Sequence, residues 1–268
     1  MNYIIGDILR QFGITTFGQL PASEAQTLKA PIEGVRSYII MLLPYHTPEP
    51  ENGRNVARFA SFPDYHAAVR GILADACSAL KKRFRGENFV PSVDNSPIAE
   101  VSSAAKCGLG AVGKNGLLIN RRYGSYCFIA EIATTMELTT RDRGEVLGAC
   151  SGCGRCIENC PTGALSADGF DRTKCVSHIT QKKGELSPQE QAVVAEADFI
   201  WGCDRCQEAC PMNLGIEDTD LPCFMNTSPI VTEDMVNNDG FFNASAFAWR
   251  GKQTILRNIA IKNRAEKQ

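Results

Sequence analysis

Eight of the twelve cysteines fall into two runs and one outlier, and they constrain the fold more than any other feature. The first run reads Cys150-Ser-Gly-Cys153-Gly-Arg-Cys156-Ile-Glu-Asn-Cys160-Pro161, or C-x2-C-x2-C-x3-C-P. The second is Cys203-Asp-Arg-Cys206-Gln-Glu-Ala-Cys210-Pro211. The first spacing is that of a [4Fe–4S] site whose fourth cysteine ligates the other cluster of a pair. Three cysteines on one tight turn reach three irons of a cube, while the proline-started segment points the fourth away. The second run keeps the C-x2-C-x3-C-P ending but has no first cysteine nearby, and Cys175 is the obvious donor for that place. Two [4Fe–4S] clusters are therefore expected. One is assigned to Cys150, Cys153, Cys156 and Cys210, the other to Cys160, Cys175, Cys203 and Cys206. Zinc sites usually pair two C-x2-C units or mix Cys with His, and do not need the extra x2-C-x3-C-P. Disulfides would imply secretion, yet Met1-Asn-Tyr-Ile-Ile-Gly-Asp has no basic stretch before an apolar run, so no signal peptide is expected.

Composition narrows the class further. At 268 residues the chain is too long for a bare ferredoxin and long enough for a sizeable core. A formal charge of −2 gives no global electrostatic reason to bind nucleic acid. No apolar run approaches the ~20 residues that span a bilayer, so no membrane association is expected. Many cysteines without a secretory signal point to a reducing cytoplasm. Cys77, Cys107, Cys127 and Cys223 remain, most simply read as small buried apolar residues.

Along the chain, residues 1–36 read as helix and loop, with Ile4, Ile5, Ile8 and Leu9 in one stripe and Pro21 and Pro31 as interruptions. Ser37–Pro44 is a short apolar run ended by proline, a buried strand. A polar loop follows at 45–55. From Asp64 to about Phe84, Val69, Ile72, Leu73, Ala76 and Leu80 recur at helical spacing, with Lys81, Lys82 and Arg83 where cations suit the helix dipole. Residues 89–93 read as a strand, and Pro97 after polar caps starts a helix from Ile98 to about Cys107. Gly108-Leu-Gly-Ala-Val-Gly-Lys-Asn-Gly116 is a glycine-rich loop able to approach a ligand, but Asn115 after Lys114 breaks the phosphate-loop pattern. Strand-like runs follow at 117–119 and 126–134, and a final helix is expected over roughly 244–264, in a tail rich in Arg250, Lys252, Arg257, Lys262, Arg264 and Lys267 against the one acid Glu266.

The expected class is α+β: an N-terminal α/β domain over 1–147, a two-cluster ferredoxin-like domain over 148–222 and a helical tail over 223–268. Clusters ligated entirely by cysteine move single electrons and do no organic chemistry unaided. The electrons must go somewhere, yet the N-terminal region offers neither a metal-ligand set nor a Rossmann glycine motif, and His46 and His66 read as isolated. From the residues alone, the chain is an electron-transfer module fused to an unidentified redox domain.

Val93-Asp94-Asn-Ser-Pro97-Ile-Ala-Glu100, then Ala105-Lys-Cys-Gly108-Leu-Gly110 and Gly113-Lys114-Asn115, resemble the epoxyqueuosine reductase family. Pro44-Tyr45, Ala57-Arg58 before Asp64-Tyr65-His66, and Gly202-Cys203-Asp204 with Cys206 extend the resemblance over residues 35 to 213 in the same order. It implies a cobalamin-dependent oxidoreductase that removes an epoxide oxygen from queuosine's precursor in tRNA, with an architecture similar to reductive dehalogenases. Carried over by position, Asp94 is the proton donor and a cobalamin contact, and Ala57, Leu118, Ile129, Ser177, Cys203 and Asp204 line the cobalamin. The cluster of Cys160, Cys175, Cys203 and Cys206 is then the one nearer the corrin. Expulsion of an epoxide oxygen needs a proton, so the acid must be neutral, and an apolar desolvated pocket is the expected means. The plain alternative for Asp94 is a helix cap ahead of Pro97.

The chain also departs from the family. Ala111 replaces an aromatic, Cys210-Pro-Met-Asn213 stands for Cys-Pro-Trp-Asn, His178 takes the place of a Tyr, and only the first of the tRNA-gripping helical repeats is recognisable after Gly251. The partners implied are a low-potential donor of flavodoxin or ferredoxin type and tRNA, for which the basic tail offers phosphate contacts. The competing reading is a two-cluster electron-transfer protein serving a partner enzyme. The acid motif around Asp94 weighs against it.

Overall fold

The computed structural model describes residues 2–30, 32–140 and 149–265. The boundary expected at 147/148, Pro31, and Glu266 and Lys267 of the tail touch residues outside that description. The chain divides into two compact units, neither continuous in sequence. The first comprises Met1–His46, His66–Gly152 and Met212–Leu221; the second comprises Thr47–Tyr65, Cys153–Pro211 and Pro222–Gln268.

The first unit is built on a four-stranded antiparallel sheet. Its elements in chain order are α1 (Asn2–Arg10), β1 (Thr16–Pro21), β2 (Ser37–Pro44), α2 (Tyr65–Arg83), β3 (Phe89–Val93), α3 (Glu100–Lys106), the small hairpin β4 (Ala111–Val112) and β5 (Leu118–Ile119), and β6 (Cys127–Thr134). The sheet order is β1-β2-β6-β3. All eight residues of β2 are buried, as its unbroken apolar run requires of a strand covered on both faces. β1 departs from the helix-and-loop expectation for the N-terminal segment. Thr-Phe-Gly-Gln-Leu-Pro has weak strand character, and pairing along the whole of β2 decides its conformation. Gly18 in this strand is needed for packing, since a Cβ there would lie 2.5 Å from that of Cys107.

One face of the sheet presents Tyr38, Ile40, Leu42 and Ala133 to Ile98, Ala104 and Leu109, on and beside α3. β6 places Glu131 opposite Ile40 of β2 and Ser92 of β3. Because strand side chains alternate, Glu131 points to this same α3 face. A single carboxylate thus interrupts the apolar interior.

The second unit gathers the cysteine runs. It contains α4 (Arg155–Glu158), the hairpin β7 (Leu165–Ser166) and β8 (Gly169–Phe170), α5 (Val176–Thr180), α6 (Pro188–Glu196), α7 (Arg205–Glu208), α8 (Glu233–Asn237), α9 (Asp239–Ala244) and α10 (Lys252–Ala265). The short cysteine-bearing helices α4 and α7 pack together, as a duplicated cluster motif should. α6 starts with a capping box in which Ser187 and Glu190 satisfy each other's backbone N–H groups, with Pro188 in the first turn. α10 begins later than the expected helix, because Gly251 at φ 88° separates it from the preceding turn.

α10 is an integral part of this unit. Asn258 is fully buried, and its amide donates to the carbonyls of Thr180 at 2.7 Å and Ile200 at 2.8 Å. Arg257 donates to the Lys182 carbonyl at 2.8 Å, and Lys262 to those of Ala195 and Ala197 at 3.0 and 2.6 Å. Arg257 and Lys262 are therefore spent on helix ends and loops rather than offered to phosphates.

Candidate functional site

The turn between β3 and α3 carries the candidate acid. Asp94 and Asn95 are both left-handed, with φ 47° and 51°, a conformation that Asp and Asn tolerate better than other side chains but seldom adopt in succession. Segment 26–29 holds the turn from outside. The N–H of Ala99 donates to the Gln26 carbonyl at 2.8 Å, the N–H of Leu28 to the Pro97 carbonyl at 2.8 Å, and Lys29 Nζ to the Asn95 carbonyl at 2.7 Å. Asp94 does not cap α3, whose first turn has no side-chain cap.

Asp94 Oδ2 lies 2.8 Å from His66 Nε2. His66 was not isolated after all: it stands on the first turn of α2, and the fold brings it to the acid across 28 residues of sequence. Its place in the Asp64-Tyr65-His66 motif was the signal available. The Asp94 side chain is 47% exposed, so the protein alone does not supply the apolar pocket expected for it.

The desolvated acids are its neighbours. Glu131 is 1% exposed, so its carboxyl is cut off from solvent. Burial pushes its pKa up to about 8, the nearby Ser96 hydroxyl opposes that, and the charges of Glu100 and Asp94 add to it. Glu100 is pushed up to about 7, first by burial and next by Asp94, against the Asp94 backbone N–H, which donates to it, and the charge of Lys29. One Glu100 oxygen is also buried without a partner. Three carboxyls and one imidazole thus share a small region, and two of the acids are held towards neutrality. A lone charged residue in the apolar strand Cys-Phe-Ile-Ala-Glu-Ile-Ala-Thr was a readable sign of Glu131.

This has a stability consequence. The native pKa of Glu131 is about 8 and the unfolded value is about 4.3, so its contribution is fully present below pH ~4 and is lost as pH rises through about 8. Glu131→Gln is expected to flatten this slope, with the difference between wild type and variant changing by on the order of a few kcal/mol between pH 5 and 9 in denaturant titrations.

In the second unit all eight candidate cluster cysteines except Cys150 are found, and no cysteine forms a disulfide. Cys203 and Cys206 are pushed up to about 12, first by burial. Cys175 and Cys160 add to this for Cys203, and Cys203, Cys175 and Cys156 for Cys206. Cys160 and Cys175 thus lie near Cys203, and Cys156, Cys175 and Cys203 near Cys206, so thiols of both assigned sets share this region. Among the described residues no three ligating side chains converge on a single ion. A cubane needs a wider arrangement, with each thiolate on its own iron. Clustered thiols with no disulfide among them fit such a group.

Asp204 is 1% exposed and already bonded on both oxygens. Oδ2 accepts from Arg54 Nη1 at 2.8 Å and the Arg58 N–H at 2.6 Å, and Oδ1 accepts from Gln207 at 3.0 Å. Arg54 is itself 3% exposed, also pairs with Glu49 and Glu208, and stacks its guanidinium 5.3 Å from the Phe199 ring centre. Burial works against its charge, but Asp204 and Glu49 hold it firmly protonated. The Val56–Ala57 segment runs beside Trp201, with the Ala57 N–H donating to the Trp201 carbonyl at 2.8 Å. Removing Arg54 would strand a buried carboxylate. Arg54→Ala is expected to cost about 3–5 kcal/mol, read as a lower denaturant midpoint.

Of the contacts implied for cobalamin, Ala57, Leu118 and Asp204 are buried by the protein, whereas Ile129, Ser177 and Cys203 keep open surface. Lys114 donates to the Gly152 carbonyl at 3.2 Å. In the glycine loop, a Cβ on Gly110 would lie 2.5 Å from the Ile119 carbonyl oxygen, so this glycine serves the β4–β5 hairpin itself.

A duplicated cysteine motif on packed short helices in one unit, and an acid–imidazole pair in an antiparallel α+β unit, define the class: a dicluster iron–sulfur protein fused to a second module. The cysteine region, residues 149–213, matches the family model of a 4Fe-4S double cluster binding domain. The chain belongs to the epoxyqueuosine reductase family. It is 34% identical to the epoxyqueuosine reductase of Lactococcus garvieae over 206 residues, covering 73% of this chain and 57% of the relative. It is 36% identical to that of Gloeobacter violaceus over 192 residues, covering 69% and 59%. The chain thus spans under two thirds of the curated relatives it matches. The fold is similar to the structure of epoxyqueuosine reductase from Streptococcus thermophilus, with a TM-score of 0.82 at 23% identity over 100% of this chain and 82% of that one. It is also similar to the Bacillus subtilis enzyme with its catalytic aspartate loop swung out of the active site, with a TM-score of 0.83 at 22% identity over 97% and 80%.

Proposed function

We propose that the chain is a cobalamin- and iron–sulfur-dependent reductase that removes the epoxide oxygen of epoxyqueuosine in tRNA, or acts on a related epoxide. The observation that carries this reading is the Asp94–His66 contact of 2.8 Å in a left-handed turn of the family motif. A pure electron carrier has no use for an acid held this way. Electrons would enter singly from a low-potential donor and pass through the clusters of Cys150, Cys153, Cys156 and Cys210 and of Cys160, Cys175, Cys203 and Cys206. Cobalamin, when bound, would supply a cobalt centre able to take up the electrons. Of the implied contacts, Asp94 and Ile129 in the first unit and Ser177 and Cys203 in the second keep surface of their own.

The residues of this chain then do acid chemistry. Asp94 and His66 share one proton across their hydrogen bond, and Asp94 gives it to the departing oxygen. Glu100 and Glu131, both held towards neutrality, add less negative charge behind the acid than two full carboxylates would, which makes loss of that proton easier. The exposed face of Asp94 is the entry for substrate. Among the described residues no helix is long and apolar enough to cross a membrane. The reading places the reaction in the cytoplasm, with tRNA as the partner.

The test is anaerobic incubation of the iron-loaded protein with cobalamin, a low-potential reductant and epoxyqueuosine-containing tRNA, followed by nucleoside analysis. Queuosine is the expected product. Failure of a corrinoid to co-elute with the iron-loaded protein, together with no conversion, would overturn the reading.

A further inference from the structure

We infer that the buried carboxylate of Asp204 holds down the reduction potential of the cluster assigned to Cys160, Cys175, Cys203 and Cys206. The double-cluster domain supplies the premise, and only the use made of a low potential rests on the function proposed above.

Asp204 follows Cys203 directly and precedes Cys206 by two residues, so it lies within the turn that presents both thiols. It occupies the cap position of α7, where an aspartate side chain ordinarily accepts from the first N–H groups of the helix. Here the side chain makes no capping bond. Oδ2 is turned instead to Arg54 Nη1 at 2.8 Å and the Arg58 N–H at 2.6 Å, and Oδ1 to the Gln207 amide at 3.0 Å. These bonds tie segment 54–58 to the cysteine turn. They account for the shape of the side chain but not for its charge. An asparagine would accept from the same Arg58 N–H, and Gln207 can turn its amide to suit. A carboxylate at 1% exposure is costly to bury, and this one is kept by an arginine that is itself only 3% exposed.

The surrounding network is negative on balance. Arg54, Arg58 and Arg205 face Glu49, Asp198, Asp204 and Glu208, three cations against four acids. Arg205 is the cation beside Cys203 in sequence and space, but it is 45% exposed and held by Asp198 and Glu208. Water screens that charge, whereas the carboxylate of Asp204 acts through the protein interior on Cys203 and Cys206 alike. An electron added next to a fixed negative charge is disfavoured, and net charge is one of the levers by which a protein sets a cluster's potential. The Arg205 N–H donates to the Cys203 sulfur and works in the opposite direction. A low potential makes the departing electron a stronger reductant for whatever accepts it.

Asp204→Asn separates charge from anchoring, because it keeps the shape and the Arg58 contact. The iron-loaded protein is titrated with a reductant, without corrinoid or substrate, and followed by electron paramagnetic resonance. One of the two potentials should rise, with the reduction constant up about tenfold, or about 59 mV for a one-electron step. The other should stay in place, and the one that moves should be the one missing from Cys203→Ala. Glu208→Gln, which also contacts Arg54 but is 30% exposed, should move it less. Asp204→Ala, read in the same way, decides the matter should the asparagine variant fold poorly. A merely structural Asp204 leaves both potentials unmoved in a folded variant with full iron content. That result, a fall in potential, or an equal rise in both clusters would overturn the proposal. The titration needs no turnover, so a wild type without epoxide reduction would sink the functional reading and leave this one to be judged by its potentials.

Discussion

An Asp94→Asn variant is expected to keep its fold, its iron and its corrinoid, and to lose about 10²–10⁴-fold in kcat, the usual contribution of a positioned general acid. The substitution suits the site unusually well for such a test. Asp94 has φ 47°, and asparagine adopts the left-handed region at least as readily as aspartate, so the turn is not strained by the change. Asn also keeps a carbonyl oxygen within reach of His66, whose partner distance is 2.8 Å. What it cannot do is release a proton. The measurement is single-turnover conversion of epoxyqueuosine-tRNA, set beside iron content and corrinoid absorbance of the same sample. Undiminished turnover would remove Asp94 from the chemistry. A matched loss of iron or corrinoid would instead show that the residue holds the structure. His66→Ala should produce a smaller loss, because Asp94 keeps its own proton and loses only its partner.

The sequence displayed these features unevenly, for physical reasons. Strand β2, helix α2 and strand β6 announce themselves through apolar runs and helical spacing, because burial sets their composition. The cysteine spacings carry the double-cluster domain directly, since its repeated tight turns leave their pattern in the sequence. The edge strand β1 was hidden, because its conformation depends on pairing with β2 and not on its own residues. His66, Glu131 and Arg54 were harder still. Each acts through a partner far away in sequence: Asp94 for His66, the α3 face for Glu131, Asp204 for Arg54. Asp94 itself could be named from its motif, but its exposure could not. Desolvation is a property of the packed sheet, and here it falls on Glu131 and Glu100 rather than on the motif's aspartate. The basic tail misled in the opposite direction, because charge in a sequence does not reveal that Arg257 and Lys262 are occupied by backbone carbonyls.

Cys203→Ala is expected to have the largest effect on the protein as isolated: iron should fall from about eight to about four per chain, with acid-labile sulfide falling alongside. Cys203 is the residue to remove because its thiol neighbours both Cys175 and Cys160, whereas the ligand-bearing runs offer no spare cysteine to replace it. Cys77, Cys107, Cys127 and Cys223 lie outside the runs, and Cys77 sits on α2 at 5% exposure, where it packs as a small apolar group. Cys77→Ala is therefore the matched control and should leave iron near eight. The cluster assigned to Cys150, Cys153, Cys156 and Cys210 should survive the Cys203 change with its electron paramagnetic resonance signal intact, because on that assignment it draws on none of the lost ligands. Turnover should vanish even so, since a single remaining cluster cannot complete the electron route to the site of reduction. Iron that stays near eight would refute the ligand assignment. Loss of all iron would show instead that the two clusters support one another through the packed helices α4 and α7, which carry Cys156 and Cys206.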